Sequence, residues 1–462
     1  MATPPQQNAP ERHVSTAYLV MLSVGMVVGA GIFKSPAQVA DAAGSVEWLY
    51  AAWIAGGLLT LAGALCYSEL ATAFPNAGGD YHFLRLAYGK RIAFLFAWAR
   101  FAVINSGSIA FLGFVIGDYL NAVPSFHLGQ DGPAIYAAIS VLLLTMFNLR
   151  GTRKDAAANY AITGLEVGGL IVIAIAALWL ALTNTPPLTS NARLISGPIP
   201  PGLGLAMVFV LLAFGGWSEI ATLSAEVKDS KRGMARAHIY SILVITLLYI
   251  LVNWAFLRGL GLSGLAQSDA PAADLMARAL GDNAALLLAI AVALAAITSI
   301  NATIIVGART TYAVANEFRA FSALGKWDHA RNIPAAATLA QGAIGLALVG
   351  LGAWTRDGFA TLVDYTAPAF WIFMTLSGFA LIVLRYKQPN AERPFKTPFY
   401  PVTPLIFCIA NIFMLWSSAS YVMSLENPRR GMTLGFGVLV LGIAALAYAE
   451  IKASRASQSA DT

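Results

Sequence analysis

Apolar runs of roughly 20 residues recur along the whole chain, each closed off by charged or Pro/Gly-rich connectors. Their limits are 15–41, 46–74, 91–120, 132–149, 156–183, 201–225, 237–260, 283–315, 333–353, 358–384, 401–424 and 431–450. A helical run of that length crosses a hydrocarbon layer about 30 Å thick, so the pattern predicts an all-α membrane protein with about twelve transmembrane helices. The polar stretch 263–282 reads as a loop between the seventh and eighth spans. Two spans are broken by glycine where the middle of the bilayer should lie, in Val-Gly-Met-Val-Val-Gly-Ala-Gly-Ile-Phe at 24–33 and Ala-Phe-Gly-Gly-Trp at 213–217. Lipid cannot hydrogen-bond an unwound backbone, so open peptide at that depth must line a protein-walled cavity. Two such breaks half a chain apart point to a carrier with its site between them. The alternative for Gly25, Gly29 and Gly31 is close helix packing. It leaves the matching break at 215–216 without a reason.

Composition removes the other classes. With 58% hydrophobic and 11% charged residues and a mean hydropathy of +0.68, the chain is not a soluble globular domain. Twenty of the 29 Lys and Arg fall on the side of the N-terminus, in connectors such as Arg150 to Lys154 and Lys228 to Arg236. Seven fall on the other side, among them Lys34, Arg193 and Arg258, and Arg100 and Arg309 lie within spans. Positive charge inside then places both termini in the cytoplasm of a multi-pass protein of the inner (plasma) membrane. The net charge of +6 is topological: it needs the lipid bilayer and no nucleic acid. Residues 1–14 and 451–462 read as disordered cytoplasmic tails, and 1–14 lack the apolar core of a cleavable signal. Cys66 and Cys408 sit in apolar runs as small hydrophobes. Nothing in the chain looks like a nucleophile–base pair, a metal-ligand spacing or a cofactor loop, so neither an enzyme nor a cofactor is expected.

Four stretches carry a likeness to a known family: Gly-Ala-Gly-Ile-Phe-Lys-Ser-Pro at 29–36; Cys-Tyr-Ser-Glu-Leu at 66–70 running into Pro-Asn-Ala-Gly-Gly-Asp-Tyr at 75–81; Phe-Gly-Gly-Trp-Ser-Glu at 214–219; and Ala-Glu-Val-Lys-Asp at 225–229. Together and in this order they resemble the amino acid/polyamine/organocation superfamily, and within it bacterial relatives of the L-type amino acid transporters. The resemblance implies a first five-helix repeat at 15–183, a second, inverted one at 201–384 and two peripheral helices at 401–450. Helices 1 and 6 would be discontinuous. It also implies a secondary amino acid transporter, permease or exchanger, working by alternating access. The substrate carboxylate would meet the backbone N–H groups of Val28, Gly29, Ala30, Gly31 and Ile32, with Ala30 and Gly31 nearest. The α-ammonium would meet carbonyls around Val27, Ala213 and Phe214, with Gly215 of the same break also in the substrate site. Many relatives have serine at the place of Ala30, so the carboxylate contact here would be main-chain or through water. Where relatives carry an aromatic gate this chain has Leu212, a looser lid. Ile104, Asn105 and Asn301 are further pocket candidates, or polar groups satisfied by neighbouring helices.

Charges inside the spans add the last candidates. Arg100, Glu166, Glu219 and Arg309 come out at similar depth, about 15–18 Å from the cytoplasmic side by helical rise, and mutual pairing across their spans is expected. Glu166 stands where many relatives have a lysine that replaces a sodium ion. Either Arg100 supplies the missing cation with Glu166 as its partner, or Glu166 is protonatable and couples transport to H⁺. Sodium held by Thr298 and Ser299 is a third reading, short of oxygen ligands. Glu69, Asp80 and Glu226 at cytoplasmic helix ends read as gate-closing pairs or solvated termini. No Cys occurs in 118–132, so the disulfide by which animal L-type transporters hold a glycoprotein subunit cannot form there, and no such partner is expected. A polyamine or organic-cation carrier is the near alternative, with Glu219 as its acidic contact. A substrate-sensing receptor is the distant one, without a signalling domain to support it.

Overall fold

The computed structural model describes residues 15–458 except 77, 152–155, 196–197, 228–232, 356–357 and 425–427. The first expected span is α1 (Thr16–Val27) plus α2 (Gly31–Ala43), and the second is α3 (Val46–Ala73). A short α4 (Asp80–Tyr88) precedes α5 (Lys90–Ala99), which runs through a π-helical stretch, Arg100–Asn105, into α6 (Ser106–Asn121). Then come α7 (Gly132–Asn148), α8 (Ala156–Leu182) and α9 (Leu203–Ala213), which passes into a 3-10 stretch, Trp217–Glu226. The remainder is α10 (Gly233–Gly259), α11 (Gly261–Ala266), α12 (Pro271–Leu280), α13 (Asp282–Glu317), α14 (Ala335–Thr355), α15 (Gly358–Lys387), α16 (Val402–Ser424) and α17 (Pro428–Gln458). Eight described segments are long and apolar enough to cross a membrane, and the bent pair α1 and α2 makes a ninth. This is a multi-pass, all-helical membrane architecture, with no strand in the described residues. The tail 1–14 lies outside them, and the motif at 225–229 leaves them after Val227.

One expectation needs correcting. The 263–282 connector is no plain loop: α11 and α12 occupy most of it, and Pro271 starts α12 where a missing N–H costs nothing. Ala272, Ala273, Leu275 and Met276 bury one face of α12, which packs on α13 and α8. A ten-residue amphipathic helix is too short and too polar to register as a span.

Both glycine breaks are real interruptions. At the end of α1 the Val28 N–H still reaches Val24 O at 2.7 Å, but the Gly29 N–H turns to Val27 O at 2.8 Å, and α2 leaves at 56° to α1. In the second break the Gly215 N–H bonds Leu212 O at 2.9 Å, and Gly216 takes φ +100°. That backbone favours glycine, and a Cβ at Gly216 would also stand 2.6 Å from Met26 O. Gly216 is thus required twice over, because the second break is packed directly against the first.

Away from the breaks, the helix ends around Glu69 are tied by charge. Glu69, fully buried on α3, accepts two bonds from Arg385 of α15 at 2.8 and 2.6 Å, lies 3.3 Å from Arg393 and accepts the Thr397 N–H at 2.7 Å. Removing one partner of such a cluster leaves buried charge uncompensated, at about 3–5 kcal/mol. We therefore expect Glu69→Ala to lower the melting temperature of the purified protein sharply or to prevent its accumulation; a melting curve like that of the unaltered chain would contradict the tie.

Candidate functional site

Between the two breaks lies a cavity of about 470 Å³, walled by residues of α1, α2, α6, α8, α9, α13 and α15. Part of its polarity comes from the backbone. The N–H groups of Ala30 and Gly31 have no acceptor among the described residues, since Ile32 and Phe33 take Gly29 O and Ala30 O and the helical bonds of α2 begin beyond them. Two free donors at the start of a 13-residue helix form a positive pole suited to an anion. On the other side, no described donor reaches the carbonyls of Gly25 and Met26 in the first break or of Phe214 and Gly215 in the second. These make a negative pole a few residues away.

The other two carbonyls expected to face an ammonium are already engaged. Tyr249 on α10 donates its hydroxyl to Val27 O at 3.0 Å and to Ala213 O at 2.9 Å, one hydrogen shared across both breaks. Trp53 and Phe214 clamp its ring, with centroids 5.3 and 5.0 Å away. A tyrosine in an apolar span reads as core, so nothing in the local sequence marks this bridge. Tyr249→Phe keeps the packing and removes the shared hydrogen bond; we expect a stability loss of about 1–2 kcal/mol and a weakened coupling between the breaks. Thermal unfolding of the variant checks the first effect and transport rate the second.

Of the substrate-binding candidates, Val28, Ile32 and Phe214 are buried away from the cavity, and the others line it, Leu212, Ile104 and Asn105 included. Asn301 does not: it accepts from Asn148 at 2.8 Å. Thr298 and Ser299 line the wall, with Ser299 Oγ 3.7 Å from where a Cβ on Gly29 would stand. Asp80 lines the cavity, bonded by the hydroxyls of Tyr67 and Ser377. It is neither a solvated terminus nor a partner in an ion pair of the described residues. The side chain of Glu226 is outside those described.

Charge pairing in the cavity differs from one of the two readings of Glu166. Arg100, on the π-helical stretch, pairs with Glu219 at 2.6 Å, where the second break brings Glu219 to face it. Glu166 is 3% exposed, lines the cavity, and its Oε2 has no hydrogen-bond partner. The Arg100–Glu166 pair is therefore absent, because the guanidinium is aimed at the 3-10 stretch instead of α8. Arg309 neither lines the cavity nor forms an ion pair with a described residue.

Residues 14–446 match the family model described as Amino acid permease. The human b(0,+)-type amino acid transporter 1 is 30% identical over 404 residues, 86% of this chain and 80% of the relative. Its rat counterpart is 28% identical over 418 residues, covering 90% and 84%. The human large neutral amino acids transporter small subunit 2 is 29% identical over 410 residues, covering 85% and 74%.

Proposed function

Because the chain belongs to the amino acid permease family, a family of transporters and not of enzymes, we propose that it moves L-amino acids across the inner membrane by alternating access. The observation that carries this reading is the pair of backbone poles facing one cavity: free N–H groups at Ala30 and Gly31, and free carbonyls at Gly25, Met26 and Gly215. A carboxylate and an ammonium on one carbon fit that pair. The organic-cation reading relied on Glu219, and Arg100 neutralises that carboxylate.

The finer architecture we propose is two inverted repeats, 15–183 and 201–384, with α16 and α17 peripheral and both termini cytoplasmic. What supports it is the placement of a break in the first helix of each half. For coupling we assign Glu166, the cavity carboxylate with an unsatisfied oxygen, to H⁺. The absence of Cys from 118–132 supports a chain that works without a disulfide-linked glycoprotein subunit.

The test is uptake of labelled neutral, cationic and acidic amino acids, one at a time, into proteoliposomes with and without an inside-alkaline pH gradient. Accumulation driven by the gradient supports the whole proposal. Movement only against preloaded amino acid keeps the transporter and removes H⁺ coupling. Movement of diamines but of no α-amino acid overturns it.

A further inference from the structure

A second cluster of charge lies outside the cavity. Lys34 stands one turn beyond Gly31 on α2, and its side chain is only 4% exposed. Its ammonium is 2.9 Å from Asp118 Oδ2, at the end of α6, and donates to Asp269 Oδ1 at 3.1 Å and to Asp269 O at 3.0 Å, in the connector before α12. The neighbouring residues repeat the pattern. Tyr119 donates its hydroxyl to Phe33 O at 2.8 Å and accepts the Ala272 N–H at 3.3 Å. Two consecutive residues of α2, two of α6 and the 269–272 stretch are thus tied at one level.

That level lies outside the cavity wall on α6. None of the tied residues lines the cavity, whose wall on α6 ends at Phe111 and Leu112, two turns short of Asp118. Beyond the tie, the Asp269 side chain is 89% exposed to water. The tie thus stands between the cavity wall on α6 and an exposed connector, and an ammonium removed from water holds it together.

We infer that Lys34, Asp118 and Asp269 are the lock of the outer gate, and that Lys34 ties the position of the α2 N-terminus to the closure of the connector before α12. The inference rests on the carrier reading above. The two carboxylates have different parts. Asp118, 14% exposed, is set deep enough to remain the lysine's partner when the gate opens. Asp269 is already hydrated, so releasing it costs little desolvation in either direction, and it is the half of the lock that lets go. A lock with one permanent and one releasable partner closes reversibly without ever leaving the ammonium bare.

The experiment measures access, not transport, so it does not depend on the identity of the substrate. In a background with Cys66 and Cys408 replaced by Ala, a cysteine is placed at Leu112, and right-side-out vesicles are treated with a membrane-impermeant thiol reagent. Asp269→Asn is expected to raise the labelling rate a few-fold, the size of one largely hydrated ion pair, and Lys34→Met, which removes a buried ammonium from both carboxylates, roughly tenfold or more. Lys34→Arg, which keeps the charge, should label like the parent. Unchanged labelling in Asp269→Asn overturns the lock, and because Asp269 is a surface residue this arm decides the matter even if Lys34→Met does not fold. An equal rise in Lys34→Arg and Lys34→Met also overturns it, since packing and not charge would then hold the gate.

Discussion

Gly31→Val is expected to weaken the binding of α-amino acids by at least about a hundredfold while the protein stays folded. Gly31 is the first residue of α2, not among the positive-φ glycines, and a Cβ there would meet only the Phe111 ring, at an ordinary 3.9 Å. Backbone and packing can therefore accept a side chain, at a stability change of about 1 kcal/mol or less. The two methyl groups of valine, however, stand in the cavity before the N–H groups of Ala30 and Gly31, where the carboxylate is proposed to sit. Each hydrogen bond to a charged group is worth about 1.5–3 kcal/mol, so losing both costs two or more powers of ten in affinity. Binding of labelled amino acid to the purified variant, alongside its melting temperature, decides it. Affinity retained in a folded variant removes the N–H cradle from the proposal.

The second large effect concerns Glu166. With Arg100 engaged by Glu219, Glu166→Gln breaks no described ion pair, and the protein should unfold within about 1 kcal/mol of the unaltered chain. What should vanish is accumulation against a gradient: a neutral amide can neither take up nor release a proton, so the variant would exchange substrate across the membrane but no longer concentrate it under an inside-alkaline pH difference. A variant that still concentrates substrate as before takes the coupling proton away from Glu166. One destabilised by several kcal/mol would make the carboxylate a structural partner after all.

Much of the architecture was legible in the chain. Runs of 20 apolar residues can only be satisfied by helices in lipid, so all twelve expected spans contain helix, and glycine clusters inside two of them marked the breaks because glycine tolerates open backbone most readily, as Gly216 at φ +100° does. The amphipathic α12 escaped because its pattern is short, and the Tyr249 bridge because one tyrosine in an apolar span looks like any other core residue.

The sequence by itself determined the membrane class, the rough limits of the apolar helices, the two breaks and the family, since all of these are set by local hydrophobicity and by residues that stand together in the chain. Only the tertiary structure decided which charges meet. Arg100 finds Glu219 and not Glu166, Lys34 finds Asp118 and Asp269, and Gly216 is pressed against Met26 O, each across many tens of residues. A buried charge will accept any counter-charge of suitable reach, so its partner is chosen by how the helices pack. Pairing of that kind is a property of the packed whole, and no window along the chain contains it.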